Sequence, residues 1–303
     1  MRADSVSKSR NLAFAFLAAA LFATSARADD DYSKSVETWR VTRAADLTKA
    51  DGWLTLVGRH WLQPGDNTLG TALDNTVHLA AGPAHFGTVA VAPGGIVTFR
   101  PAADAYALID GLPAQTTELR YTGGLRPSRV QSGTVTFYII QHGGKLAARV
   151  KDSTARRRLN FVGLDYFPID PAWRIEAQWV QFDQPRQISF TDVLGETSPA
   201  SIPGKAVFTR DGRTFELLPI DEGADHPLFF VIGDPTNGAE THGGGRFLYA
   251  AWPKDGKVVL DFNHMENPPC AFTPFTICPL PPKDNQLPFR VDAGEKTYRG
   301  EAN

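Results

Sequence analysis

The chain has 303 residues, with 31 Lys and Arg against 33 Asp and Glu for a formal net charge of −2. That balance lacks the basic excess or stripe of a nucleic-acid binder, and the one basic run, Arg156-Arg157-Arg158, reads as a solvated turn. The length exceeds one typical domain, so two are expected.

Residues 1–28 carry the pattern of a secretory leader. Arg2, Lys8 and Arg10 form a basic start, Leu12 to Ala23 an apolar run, and Ala26-Arg27-Ala28 a small-x-small cleavage site. The apolar run is short of the roughly 20 residues that span a bilayer. A mature chain starting at Asp29 is therefore expected, periplasmic or secreted, without a transmembrane segment. Losing residues 1–28 removes four basic residues and one acid, leaving a net charge of −5.

A short helix is predicted within 29–50, where Val36, Trp39 and Leu47 fall on one face and Asp51-Gly52 stops it. After Gly52 short runs rich in Val, Ile, Thr and Phe alternate with turn residues, the pattern of a β-sandwich or barrel. The first series, within 51–155, includes Trp53–Val57, Gly87–Val91, Ile96–Arg100, Thr134–Ile140 and Ala147–Val150. The second, within 156–303, includes Ile175–Val180, Gln187–Val193, Lys205–Thr209, Thr214–Leu218, Leu228–Gly233, Gly245–Ala251 and Lys257–Phe262. The expected fold is mainly β: two packed antiparallel β domains preceded by a short helix.

In the first series, Gly65-Asp-Asn-Thr-Leu-Gly70, Asn75-Thr-Val-His-Leu79, His85-Phe-Gly-Thr-Val89 and Ile109-Asp-Gly-Leu-Pro113 follow one another in chain order. This arrangement resembles the strand and turn order of forkhead-associated domains, which are β-sandwiches that read phosphothreonine through loop residues. The Arg and Ser that the resemblance calls for are displaced or missing: Gly58-Arg59 lies too early, and Thr71-Ala72-Leu73 follows the turn. A forkhead-associated-like sandwich is thus expected without its phosphopeptide site.

The densest functional signal runs from Asp261 to Pro282. Pro268, Pro269, Pro274, Pro279, Pro281 and Pro282 forbid a helix or central strand there, so a shaped loop is expected. Cys270 and Cys278 read first as a disulfide in an exported chain. Two alternatives stay open: a zinc site with His264 and either Glu266 or His242, and a reactive thiol. Upstream, His242-Gly-Gly-Gly-Arg246 joins an imidazole and a guanidinium through a run that lets backbone approach a ligand. A hairpin through Pro253-Lys-Asp-Gly256 is predicted to bring Arg246 beside Asp261, Asn263, His264, Glu266 and Asn267. His60, His78, His85 and His142 lie in strands or turns without clustered partners. Serine-hydrolase, zincin, P-loop and dinucleotide-binding motifs are absent from the sequence.

A broader set of motifs carries a family resemblance: Asp51-Gly-Trp-Leu-Thr-Leu-Val-Gly58, Trp61-Leu-Gln-Pro-Gly65, Arg149-Val-Lys-Asp152, Phe161, Gly195, Gly243-Gly-Gly-Arg-Phe-Leu-Tyr249, Asp261-Phe-Asn263, Asn267-Pro-Pro-Cys270, Cys278-Pro-Leu-Pro-Pro-Lys-Asp-Asn285 and Ala293-Gly-Glu295. With these the chain resembles the bacterial domain-of-unknown-function 1684 family from about Val36 to Glu295. The resemblance implies no activity. It departs at His264-Met265-Glu266, where family members often carry a basic residue, Ala and an aromatic, so roles for His264 or Glu266 would belong to a subset.

Three functions fit these residues. One is a binding protein for a small anionic or polar molecule or glycan, held by His242, Arg246, Asn263 and Asn267. Another is a hydrolase-like enzyme with His264 or His242 as base and Asp261 or Glu266 orienting it. The third is a structural envelope protein. No cofactor or metal is required by any of them, and the oligomeric state is left open.

Overall fold

A computed structural model describes residues 29–121 and 126–301; the expected leader, 1–28, lies outside them. The chain is mainly β, as predicted, with one short helix near its start. Residues 29–47 are helical, and Tyr32, Val36, Trp39, Arg40, Arg43 and Leu47 recur at helical spacing on the covered side. That stripe contains a tyrosine and two arginines among its apolar residues, so the helix must dock on polar partners.

Residues 56–152 build two sheets. One orders Leu56–Trp61, Lys145–Asp152, Val135–His142, Val130–Ser132, Leu108–Ile109 and Leu112–Pro113; the other orders Val77–His78, Gly65–Gly70, Gly87–Val91, Val97–Pro101 and Thr117–Glu118. Alternation decides which face is core: Gly58, Val150, Phe137 and Val130 lie in register across the first sheet and are buried. Phe137 meets Phe86 and Phe99 edge-on at 5.2 and 5.5 Å, closing a β-sandwich-like core. The opposite face presents Arg59, Arg149 and Tyr138 in register.

Beyond residue 173, Arg213–Leu217, Thr197–Arg210, Arg174–Thr191 and Lys257–Asp261 form a four-stranded antiparallel sheet. The reading that divided Ile175–Val180 from Gln187–Val193 is corrected to one strand with a register shift between Gln181 and Arg186, where Pro185 cannot donate to the ladder. Trp53, read as the start of a strand, opens a 3-10 turn, Trp53–Thr55, before the strand begins at Leu56.

The predicted hairpin is also corrected. Arg246–Ala250 pairs with Leu228–Ile232, whereas Lys257–Asp261 pairs with Arg174–Gln178, so the two strands belong to different sheets. The cause is visible in Leu228-Phe-Phe-Val-Ile232, apolar at every position and buried throughout. Phe230 and Ile232 enter one core, Phe229 and Val231 another beside Phe247 and Cys278. Such a doubly covered strand needs an inside neighbour for its backbone, and Arg246–Ala250, with four of its five residues buried, is that neighbour.

Candidate active site between the N-terminal helix and the C-terminal loops

The residues singled out between His242 and Cys278 fall into separate environments. Arg246 is fully buried. Its guanidinium pairs with the equally buried Asp234 at 2.8 Å and donates to the carbonyls of Val291 at 2.9 Å, Glu295 at 3.3 Å and Ala293. Asp234 in turn accepts from the backbone N–H of Thr236 and Val291. Arg246 therefore ties a turn to the C-terminal segment, away from Asp261. The glycine run serves the same packing: Gly245 has φ +84°, and a Cβ there would lie 2.4 Å from the Pro281 ring. His242 is half-buried, burial lowers its pKa, and its imidazole has no hydrogen-bond partner among the described residues.

A second cluster forms around Arg43 of the helix. Its guanidinium meets Glu295 at 2.9 Å and Glu266 at 3.3 Å and donates to the Asn267 carbonyl at 3.0 Å. Glu295 also accepts from the Asn267 N–H at 2.8 Å, while the Asn267 side chain donates to the Lys296 carbonyl. Burial pushes the Glu266 carboxyl up to about 7, with Arg43 opposing and Glu295 and Asp46 adding to the rise. Glu266 and Asn267 thus fasten the helix rather than face solvent.

The third environment is open. A cleft of about 590 Å³ is lined by Asp29, Tyr32, Ser35, Pro171, Arg174, Asp261 and His264. Asp261 ends its strand directly opposite Arg174, and its carboxylate accepts from the Asn263 N–H at 3.2 Å, which starts the 3-10 turn Phe262–His264. This turn carries His264 back over Asp261, with Nδ1 at 3.0 Å from Oδ2. Trp39 meets the imidazole edge-on at 4.7 Å and fixes its plane. Tyr32 donates to Asp261 at 2.7 Å and accepts from Asn263 Nδ2 at 2.9 Å; Asn263 is buried and bonds both ways with the Asp170 backbone.

These bonds set the protonation states. Burial alone would raise the Asp261 carboxyl, but hydrogen bonds from His264 and Tyr32 outweigh it and hold the group below the usual range. Burial, reinforced by Asp261, lifts the Tyr32 hydroxyl far above its ordinary value, so it stays a donor. The Asp261 carboxylate faces Nδ1, so in a neutral ring the contact favours the Nδ1–H tautomer, with the lone pair on Nε2. Nε2 has no partner among the described residues. Arg174, half exposed and 4.0 Å from Asp261, adds a cation at the rim. Ser35 donates to the Tyr32 carbonyl at 2.6 Å, so its proton is already committed.

Cys270 and Cys278 form a disulfide, packed with Phe229, Val231 and Phe247. With both sulfurs joined, the thiolate zinc site is not formed, and among the described residues no three His, Cys, Asp or Glu side chains are grouped to hold a metal ion. Two histidines expected to stand alone have acidic neighbours instead: His85 lies 3.0 Å from Asp74, and His142 lies 2.6 Å from Asp192. Carboxylates distant in sequence are brought there by turns that the strand pattern does not encode.

Residues 159–296 match the family model described as a protein of unknown function, DUF1684. Over these residues the chain is similar to the DUF1684 family. The match is shorter than the span from Val36 read from the motifs. No curated protein matches the chain. Among solved structures, an uncharacterized protein of Haloarcula marismortui, determined by solution NMR, is 32% identical over 46% of this chain and 79% of that one, with a TM-score of 0.39. A crystal structure of Rad53 1-466 in complex with AMP-PNP is 11% identical over 67% of this chain and 46% of that one, with a TM-score of 0.15.

The DUF1684 segment holds Arg174, Asp234, Arg246, Asp261, Asn263, His264, Glu266, Asn267, both cysteines and Glu295. Tyr32, Trp39 and Arg43 come from the helix outside it. Sequence reasoning missed these three, together with Arg174, Asp234 and Glu295 as partners. The signal for the helix was its own stripe, which places Tyr32, Arg40 and Arg43 where apolar residues would be expected.

Proposed function

We propose that the cleft beside His264 is a hydrolytic site for a small polar or anionic substrate, with His264 as general base. The observation that carries this reading is the contact between His264 Nδ1 and a charged Asp261 within an open cleft. In the proposed reaction a water gives a proton to Nε2 as its oxygen attacks the substrate's electrophilic acyl or phosphoryl centre, Asp261 stabilises the imidazolium that forms, and Nε2 then returns the proton to the leaving group as its bond to that centre breaks. Arg174 attracts the negative charge of the substrate. Water, rather than Ser35, is the nucleophile because the Ser35 hydroxyl already donates to backbone. The ordering of readings is thereby reversed: a binding site centred on Arg246 loses ground because that guanidinium is buried and shared among Asp234 and three carbonyls.

Two measurements test it. Long-range ¹H–¹⁵N NMR should find His264 protonated at Nδ1 and bare at Nε2; the reverse tautomer would sink the dyad. With p-nitrophenyl acetate and p-nitrophenyl phosphate as probes, His264→Ala should lower kcat/KM by about 100-fold or more on whichever is turned over. Equal rates in the variant would leave the cleft without a catalytic role.

We further propose that the mature chain works outside the cytoplasm after loss of residues 1–28. The disulfide supports this, since such bonds persist in oxidising compartments. No helix among the described residues is long and apolar enough to cross a membrane. The N-terminal sandwich is proposed to be forkhead-associated-like in strand order only, and the division between the two sheet systems is proposed near residue 155.

A further inference from the structure

The Arg149-Val150-Lys151-Asp152 strand is a motif that the cleft leaves unused, and it sits on the outer face of the six-stranded sheet. Beside it lies a hollow of about 310 Å³ lined by Asp51, Arg129, Gln131, Thr134, Thr136, Tyr138, Lys151 and Ser153, among others. We propose that this hollow is a second binding site, for a small oxyanion, in which Lys151 and Arg129 hold the charged group and Thr134, Thr136 and Ser153 complete its hydrogen bonds.

Charge count makes the first argument. Arg129 and Lys151 line the hollow with one acid, Asp51, and Arg149, outside the lining, adds its charge beside Lys151. Arg129 is paired with the Asp51 carboxylate at 3.2 Å, and Lys151 donates only to the Asp51 carbonyl. The Arg149 side chain has no hydrogen bond or ion pair among the described residues, and its Nε is buried without a partner. The two unneutralised cations share the same aromatic neighbours: Lys151 lies 5.5 Å from the Trp53 ring and 5.9 Å from that of Tyr138, and Arg149 lies 5.7 and 6.0 Å from them. Aromatic faces soften this positive charge without cancelling it, so the local field remains positive.

Donors supply the second argument. The hydroxyls of Thr134, exposed, and of Thr136 and Ser153, part-buried, make no hydrogen bond among the described residues and are open to a ligand. A concave place with idle hydroxyl donors, two cations and an aromatic wall is suited to an oxyanion head group, and its volume is at the small end of ligand cavities. The Lys151 ammonium is itself destabilised as it stands. Burial, with Arg129 and Arg149 adding and Asp51 opposing, lowers it to about 8. A bound anion would restore its charge, so binding and protonation of Lys151 are coupled.

The test is calorimetric titration of the full chain with sodium sulfate, sodium phosphate and sodium glucuronate, which separate sulfate, phosphate and carboxylate head groups. At least one is expected to bind saturably. Lys151→Met should weaken it by about tenfold or more. Asp51→Asn, which removes the competing acid and retains the cations, should tighten it by about threefold, a gain that misfolding cannot imitate. Sulfate does not titrate in this range, so its affinity should fall as pH rises through about 8 in the wild type, and that step should vanish in Lys151→Met. Failure of all three anions to bind, or binding unchanged by Lys151→Met, would overturn the proposal.

Discussion

Two charged pairs come from adjacent motifs and end in opposite situations. Arg246 and Asp234 are both fully buried, and the hydrogen-bond and ion-pair partners of the guanidinium are three backbone carbonyls and that one carboxylate. His264 and Asp261 stand at a cleft, with the side chains 26% and 14% exposed. The first pair has its bonds made except at Arg246 Nε, and it leaves no approach for a ligand. The second keeps a nitrogen lone pair in reach of solvent. Residue types alone favoured Arg246 as the ligand contact; burial ties it to the scaffold, and the proposed chemistry rests instead on His264.

The largest expected effect follows from the closed pair. Arg246→Ala leaves the buried Asp234 charge without its counter-ion, held only by the Thr236 and Val291 N–H groups, and removes a donor from three carbonyls; breaking a buried pair on one side costs about 3–5 kcal/mol. Denaturant unfolding should show that loss at every pH where Asp234 is charged. His264→Ala should change the unfolding free energy by far less. Should both variants lose the same stability, the contrast between scaffold and site would collapse.

The cluster around Arg43 lies between these extremes and offers a pH signature. Glu266 is raised to about 7 in the folded chain, above its ordinary value, so the native state holds its proton more tightly than the unfolded chain does. Its contribution is fully present below the ordinary carboxylate range and is lost as pH rises toward and through about 7. Glu266→Gln should abolish this slope and gain on the wild type across that window by an amount on the order of 2 kcal/mol. Unfolding curves at matched pH values measure it, and parallel slopes would show that Arg43 keeps Glu266 charged throughout.

How much of this could be read beforehand depends on the range of each interaction. Strands such as Gly87–Val91 and Lys257–Asp261 were legible because alternation and turn residues are local. The cysteine pair was legible from spacing and compartment. The placement of Arg246 was not, because a turn at Pro253–Gly256 looks the same whether its flanking strands pair or part to separate sheets. Which occurs is decided by Leu228–Ile232, a strand whose two covered faces claim Arg246–Ala250 as neighbour. His264 and Asp261, three positions apart, were grouped correctly. Tyr32, separated from Asp261 by 229 positions, was beyond any local pattern.

The smallest expected effect tests that distant contact. Tyr32→Phe keeps the ring of the helix stripe and removes one hydroxyl, which donates to Asp261 and accepts from Asn263. A net loss of about 1 kcal/mol is expected at neutral pH. Its sign with pH is fixed by Asp261, whose folded pKa is depressed. Stability from such a group is present above the unfolded value and disappears as pH falls through the folded one. The loss in Tyr32→Phe should therefore shrink on acidification, as the Glu266→Gln difference also does, but the two are opposite in sign, one a loss and the other a gain. The same substitution leaves the His264–Asp261 contact in place, so the Nδ1-protonated tautomer should persist. If that tautomer is lost in Tyr32→Phe, the helix is part of the dyad's positioning machinery as well as its cover.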